Sequence, residues 1–221
     1  KRRDKVALEQ YRSEGFLADA MVNYLMTLGW TPPGAEEAGS EIVSWASIEA
    51  DFALEDVNLS PAFFDVKKLV AFNKQYIKNM DTAEYLAAAS AELPDDWDRE
   101  RFAMIAPHIQ ERLETLKDVP GAVDFLFWPQ GEDAPPIQYD DAAWDKAAKP
   151  EWAAALLADV IEAYGAVESW DHETLKASME DLMRQYEIKL GKAQALPRVA
   201  VTGRAVGPPL FEALEVLGRN E

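Results

Sequence analysis

The sequence predicts an all-α fold built as small helical bundles in series. Apolar residues recur at three- and four-residue spacing, helix-capping residues precede these stretches, and no segment alternates like a strand for more than a few residues. The clearest apolar stripe is formed by Leu17, Met21, Tyr24, Leu25 and Leu28. We therefore expect helices along the chain, with each apolar stripe turned toward a core.

Aspartate residues mark the predicted starts of three helices. A first helix is expected within residues 16–29, and a short one follows near residues 48–52. Asp65 and Asp81 can then accept hydrogen bonds from the first-turn N–H groups of the next two helices. Asp171 can do the same for a later helix.

Proline and glycine are predicted to interrupt the helical pattern. Pro107 should kink or break its helix, because proline has no backbone N–H to donate. The Val-Pro-Gly sequence at residues 119–121 should form a second break. Residues 128–139 contain three Pro and one Gly, which is typical of a linker. The last helix is expected from Pro209 to Leu217, before Gly218.

Composition excludes several classes of site. The chain has 221 residues, no Cys and two His, which removes disulfides, thiolate zinc sites and Cys nucleophiles and argues against a metal built on His. There is no Gly-rich phosphate loop, no G-x-S-x-G and no H-E-x-x-H motif. His108 and His172 are therefore interpreted as surface or structural residues.

No apolar run approaches the ~20 residues that span a bilayer, and no signal-peptide pattern is present, so we expect a cytoplasmic protein.

The charge is strongly negative but uneven. Asp and Glu number 40 against 22 Lys and Arg, for a formal net charge of −18. Residues 1–12 nevertheless carry five basic residues against two carboxylates, and residues 187–204 carry four against Glu187 alone. A basic patch on an acidic body can still bind a polyanion, because salt screens charges beyond ~8–10 Å. Chance clustering is the alternative explanation.

Three sequence blocks resemble those of bacterial glutamyl-tRNA synthetases. Residues 11–30 resemble the pattern Y-x-x-x-G-[FY]-x-P-x-A-[LM]-x-N-Y-L-x-x-L-G-[WF], with Ala18 in place of the usual Pro. Residues 60–77 are similar to S-P-A-x-F-D…K-L…N-x-x-Y-I. Residues 189–212 contain K-L-G, V-T-G and G-P-P-L-F-E in family order. The blocks extend over almost the whole chain.

The resemblance implies that this chain is the C-terminal half of such an enzyme. Lys1 and Arg2 match the end of a KMSKS-type loop, in which the lysine, here Lys1, has a catalytic role by stabilising phosphate charge during glutamate activation. The ATP-binding fold would lie upstream, so ATP and Mg²⁺ belong to the full-length enzyme, and we expect this part to be inactive alone and to hold no cofactor. The implied domains are a stem-contact domain at 1–79 and anticodon-binding subdomains at 80–128 and 129–221.

The resemblance also implies an RNA-binding role for particular residues. Arg112 lies where glutamate-specific members carry an arginine that reads the third anticodon base, and a planar guanidinium suits a base edge. Lys192 and Arg204 are expected to contact phosphates. The further residues expected to bind the anticodon are Arg198, Gly207, Pro208, Leu210 and Phe211. The expected partner is glutamate tRNA, through its anticodon loop and stem, with no DNA and no membrane; we expect a monomer.

Alternatives remain at several of these positions. Arg112 could be an ordinary surface residue, Phe211 has Leu214 and Leu217 at helical spacing and could be core, and residues 207–209 could be only the turn that starts a helix. The acidic composition by itself favours a helical protein-interaction scaffold. A third possibility is the same part of a dual-specificity enzyme that also charges glutamine tRNA, although Arg112 favours strict glutamate specificity.

Overall fold

The fold is helical throughout the part of the chain that can be described. The computed structural model describes residues 7–31, 41–129 and 136–219. All regular elements in these three ranges are α-helices or short 3₁₀-helices, so the predicted all-α class is confirmed. The functional regions are therefore helix faces and the turns between helices.

The chain divides into two compact units. The first comprises Lys1–Leu93 and Gln110–Val119, and the second comprises Pro94–Ile109 and Pro120–Glu221. The chain thus leaves the first unit, enters the second and returns before it finally crosses over. The three-part division into residues 1–79, 80–128 and 129–221 stays a prediction.

The first unit is built from short helices around an aromatic core. Its core cluster contains Tyr11, Met21, Tyr24, Leu69 and Phe72. In its described residues the α-helices are α1 (Leu8–Ser13), α2 (Ala18–Met26), α3 (Trp45–Asp51), α4 (Val66–Asn79) and α5 (Thr82–Ser90). The 3₁₀-helices are Leu54–Asp56, Gln110–Arg112 and Leu116–Asp118.

Two fully buried asparagines connect the segments of this unit. The Oδ1 atom of Asn23 accepts a hydrogen bond from the hydroxyl of Tyr76 at 3.1 Å. Asn73 accepts from the backbone N–H of Leu17 at 2.7 Å and donates to the carbonyl oxygen of Glu114 at 2.6 Å. A buried amide that is satisfied in this way specifies one arrangement of the chain, because any other would leave it unpaired.

The second unit contains two core clusters. One has Leu156, Leu175 and Met179 among its buried members. The other includes Ala143 and Leu196. The helices are α6 (Arg99–Ile109), α7 (Val119–Val123, which starts at the last residue of the first unit), α8 (Asp141–Ala148), α9 (Ala153–Ala166), α10 (His172–Tyr186), α11 (Leu190–Ala193), α12 (Ala195–Thr202) and α13 (Leu210–Leu217), with a 3₁₀-helix at Asp124–Phe127.

The predicted helix starts are confirmed at all three aspartates. The side chain of Asp65 accepts a hydrogen bond from the backbone N–H of Lys67, and Asp81 accepts one from that of Glu84. Asp171 caps α10 in the same way. The short helix near residues 48–52 and the last helix are confirmed as α3 and α13. A side-chain cap is a local interaction, which explains why the sequence alone predicts it.

Neither proline ends a helix where a break was predicted, and a kink at Pro107 stays a prediction. Helix α6 continues through Pro107 to Ile109, because Phe102, Ile105 and Ile109 are buried and their packing outweighs one missing hydrogen bond. Residues 119–121 begin α7 instead of ending a helix. Proline is tolerated in the first helical turn, where its N–H would have no partner within the helix.

The predicted apolar stripe of α2 is correct only in part. Met21 and Tyr24 are buried in the core, whereas Leu25 is 41% exposed. A residue adjacent to Tyr24 lies about 100° around the helix from it, which turns Leu25 away from the core. The helix also ends at Met26, before the predicted end at residue 29.

Candidate nucleic-acid interface

A cleft lies within the second unit between helices α8, α11 and α12. Its volume is about 730 Å³. Apolar side chains form much of its wall: Ala143, Ala147, Trp152, Ala195 and Val199. A cavity of this size accommodates a group as large as a nucleotide.

Three cations line the cleft. Lys146 comes from α8, Lys192 from α11 and Arg198 from α12. None of the described residues that line the cleft is Asp or Glu. The cleft therefore presents positive charge on a chain whose overall charge is strongly negative, and such a local field attracts anions.

Local sequence determines how these three helices present their cations. The side chain of Asp140 caps α8 by accepting from the backbone N–H of Ala143 at 2.9 Å. Lys146 then falls in the last turn of α8, where the helix dipole favours a positive charge. Lys192 likewise lies in the last turn of α11.

Arg198 connects α12 to the turn that precedes α13. Its guanidinium donates from Nη1 to the carbonyl oxygen of Pro208, and its Nη2 lies 3.5 Å from Oε1 of Gln194. The side chain is half-buried. Arg198 therefore faces the cleft and at the same time fixes the Gly-Pro-Pro turn.

At the Gly-Pro-Pro turn and the start of α13, the surface that is open to a ligand is backbone and not side chain. Pro208 is buried, and Leu210 and Phe211 are 1% and 6% exposed as members of the core shared with α9 and α10. Phe211 is thus in the core, as the alternative interpretation held, and offers no free ring face to a base. At Gly207 the space beside the backbone is open.

The preceding Val-Thr-Gly signature has a structural explanation. Gly203 has a positive φ of 73°, and a Cβ atom there would lie 2.9 Å from the carbonyl oxygen of Gln138. The carbonyl of Gly203 accepts a hydrogen bond from the backbone N–H of Asp140 at 2.8 Å. Only glycine permits this close approach, which holds the start of α8 beside the end of α12.

Arg204, for which the sequence predicts a phosphate contact, forms an ion pair with Asp124 within the second unit. Its Nη2 atom donates to both carboxylate oxygens of Asp124, at 2.6 and 2.7 Å, and its Nη1 donates to the carbonyl oxygen of Gly121. The Arg204 side chain is 35% exposed. These contacts give Arg204 a structural role, because its donors already have acceptors in the protein.

Arg112 belongs to the first unit, whereas Arg198 belongs to the second. It ends the 3₁₀-helix Gln110–Arg112, and its side chain is exposed and has no hydrogen bond or ion pair within the described part of the chain. Gln110 fastens this turn to the end of α4, donating to the carbonyl oxygens of Ile77 at 2.9 Å and Met80 at 3.0 Å. The guanidinium is therefore available to a ligand and is mounted on a fixed turn.

Lys1 and Lys146 differ from the residues described so far. Lys1, the expected catalytic lysine, lies outside the described residues. Lys146 was missed, because Asp140, Asp141 and Asp145 surround it in the sequence and hide any basic cluster. No local signal could have found it, since α8 meets the basic segment only through folding.

A family comparison accounts for most of this chain. Residues 63–221 match the family described as anticodon binding domain. The chain belongs to this anticodon-binding family. The match includes both Arg112 and the cleft, so these features lie in a part of the chain that carries the family pattern.

Individual relatives in this comparison are glutamate–tRNA ligases. Those of Frankia casuarinae and Salinispora tropica are each 52% identical over the whole chain. The chain spans 46% and 48% of their lengths, so about half of each relative has no counterpart here. The crystal structure of a glutamate tRNA ligase from Elizabethkingia meningosepticum, in complex with its amino acid, superimposes with a TM-score of 0.74 at 26% identity, covering 94% of this chain and 40% of that one. The resemblance to glutamyl-tRNA synthetases is confirmed.

In the part of the chain that the structure describes, no helix is both long and apolar enough to cross a bilayer.

Proposed function

We propose that this chain is the tRNA-binding, anticodon-recognising part of a glutamyl-tRNA synthetase. The full-length enzyme would attach glutamate to glutamate tRNA using ATP, and ATP and Mg²⁺ would be bound by the part of the relatives that has no counterpart here. The observation that carries the proposal is membership of the anticodon-binding family, with glutamate–tRNA ligases 52% identical over the whole chain.

The cleft of the second unit supports a polyanionic partner. Its three cations have no carboxylate beside them among the lining residues, although the chain as a whole has a net charge of −18. Attraction of RNA depends on the charges within about one Debye length, roughly 8–10 Å, and not on the net charge of the chain. An acidic protein can therefore bind tRNA through this surface.

The exposed guanidinium of Arg112, which does not line the cleft, supports recognition of an anticodon base. Its five donors are arranged in a planar fork, which can contact two acceptors on one base edge. We assign it to the third anticodon base, which favours a strictly glutamate-specific enzyme over one that also charges glutamine tRNA. Lys192, an exposed point charge, would contact a phosphate and carry no sequence information.

A binding titration tests this proposal. Fluorescence anisotropy would follow a labelled glutamate-tRNA anticodon stem-loop at two salt concentrations, beside a loop with G for C at the third anticodon position. We expect saturable, salt-sensitive binding that favours the loop with C. Equal binding to both loops would favour the dual-specificity enzyme. Absence of binding at low salt, with full-length tRNA as well as with the loop, would favour the protein-interaction scaffold.

A further inference from the structure

Lys146 approaches the cleft from a different helix than the other two cations. It lies on α8, whereas Lys192 and Arg198 lie on α11 and α12. The side chain of Lys146 is exposed, and it makes no hydrogen bond or ion pair within the described residues. Lys192 has the same properties. Two unpaired ammonium groups therefore line one cavity from two separate elements.

The charges around the two lysines favour an anion. Helix α8 also carries Asp141 and Asp145, but neither lines the cleft, and no other described carboxylate does. Like charges gathered in a cleft repel each other, and a bound anion relieves this repulsion. Because apolar walls screen charge less than water does, the positive field inside is concentrated.

The shape of the cleft favours a phosphodiester over a small free anion. Its volume of about 730 Å³ far exceeds that of one phosphate group. The wall beside the lysines is apolar and includes Trp152, which suits a base or sugar and not a hydrated ion. A nucleic-acid strand supplies both parts, an anionic backbone and an apolar base face.

We propose that Lys146 binds a backbone phosphate of an RNA strand seated in this cleft, with Lys192 contacting the same strand from α11. This inference rests on the proposed function, because the RNA is taken to be the tRNA anticodon region. A lysine contact of this kind positions the strand and adds affinity without selecting a sequence.

Lys146→Ala tests the assignment, with Lys149→Ala as the matched control. Lys149 is also exposed and lies three residues further along, but it does not line the cleft. We expect Lys146→Ala to weaken both stem-loops equally, by about three- to tenfold at low salt, and to reduce the slope of log K against log salt by about 0.7–0.9. Lys149→Ala should stay within about twofold of the unmodified chain, since it removes no phosphate contact.

Lys146→Arg separates a charge contact from a structural role, because it keeps the cation and should keep the affinity and the slope. If Lys146→Ala behaves like Lys149→Ala, or if its effect depends on the third anticodon base, the assignment is overturned.

A second probe distinguishes failure of this inference from failure of the proposed function. A short oligouridine RNA titrated into ¹⁵N-labelled protein should shift the amide signals of Lys146, Lys192 and Arg198. Shifts at these amides without any stem-loop selectivity would support the phosphate contact and contradict reading of the third anticodon base. Stem-loop selectivity together with an inert Lys146 would contradict only the phosphate contact. No response to either RNA would overturn both.

Discussion

The side-chain amide of Gln110 donates a hydrogen bond to the carbonyl oxygen of Ile77 at 2.9 Å, at the C-terminal end of α4. The same nitrogen lies 3.0 Å from the carbonyl oxygen of Met80. The carbonyl of Ile77 also accepts a hydrogen bond from the backbone N–H of Met80 at 3.2 Å. The last carbonyls of a helix lack their full set of helical partners, so Gln110 acts as an additional cap supplied from elsewhere in the sequence. These hydrogen bonds also hold the turn that ends at Arg112 against the C-terminal end of α4.

Gln110→Ala should lower anticodon discrimination without removing any group that touches RNA. Without the cap the turn loses its hydrogen bonds to Ile77 and Met80, each worth about 1 kcal/mol, so we expect selectivity for the third anticodon base to fall by about fivefold or more. The salt dependence of binding should not change, because no cation is lost. Paired titrations with the two stem-loops measure both quantities.

Gln75→Ala is the control for this substitution. Gln75 lies on α4 and donates to Asn79 on the exposed side of the same helix. The Gln75→Ala substitution should leave selectivity for the third anticodon base unchanged. Equal losses from Gln75→Ala and Gln110→Ala would indicate a general effect of α4 stability and would remove the positioning role.

Arg112→Gln should bring the two stem-loops closer in affinity. A bidentate contact to a base edge is worth about 1–3 kcal/mol, so discrimination should fall by about ten- to a hundredfold. Arg112→Lys keeps the charge but loses the planar fork, and should lose selectivity while keeping the salt slope. Binding of both loops unchanged within about twofold would mean that Arg112 does not read the base.

Arg204→Ala should destabilise the second unit and leave RNA binding largely unaffected. The ion pair with Asp124 is about one-third exposed, so solvent screening limits its contribution to about 1 kcal/mol. Chemical unfolding of Arg204→Ala, Asp124→Ala and the double variant would give this coupling directly. An unchanged stability together with a salt slope reduced by about 1 would instead support the phosphate contact that the sequence predicted.

The contact between His172 and Glu215 should make stability depend on pH. Nδ1 of His172 lies 2.7 Å from Oε2 of Glu215, and this hydrogen bond, opposed by partial desolvation, raises the pKa of His172 above its usual value. The charges of Glu215, Glu212 and Glu173 raise it further. The stabilisation is fully present below the unfolded-state pKa, about 6.5, and is lost as the pH rises through the raised folded-state pKa.

Thermal unfolding between pH 5.5 and 8.5 measures this dependence. The difference in Tm between the unmodified chain and Glu215→Gln should be largest at pH 5.5 and shrink toward pH 8.5. The backbone N–H of His172, 3.3 Å from the same carboxylate oxygen, gives a contribution that does not titrate with the imidazole. A Tm difference that is constant over this range would rule out the charged imidazole as its source.

Local signals explain the part of the fold that could be predicted. The caps at Asp65, Asp81 and Asp171 act within three residues, and the apolar stripes follow the helical period, so both are written in short windows of sequence. Pro107 shows the limit of such reasoning. Its effect on α6 depended on the burial of Phe102 and Ile105, which no local window reveals.

The site was predictable to a different degree at each residue. Arg112 and Lys192 lie exposed on turns or helix ends, as a ligand-binding role requires. Arg204 was indistinguishable from them in the sequence, because its partner Asp124 is 80 residues away. Phe211 could be either core or surface until its neighbours on α9 and α10 were known.

The sequence by itself determined the helical class, the three helix starts capped by aspartate and the resemblance to glutamyl-tRNA synthetases, because these depend on residue spacing and order along the chain. The tertiary structure alone decided which cations meet at one site and which has a carboxylate partner. Lys146 joins Lys192 and Arg198 at one cleft, whereas Arg204 is neutralised by Asp124. The physical reason is that electrostatic interactions depend on distances in space, and folding sets those distances by packing helices that are remote in sequence.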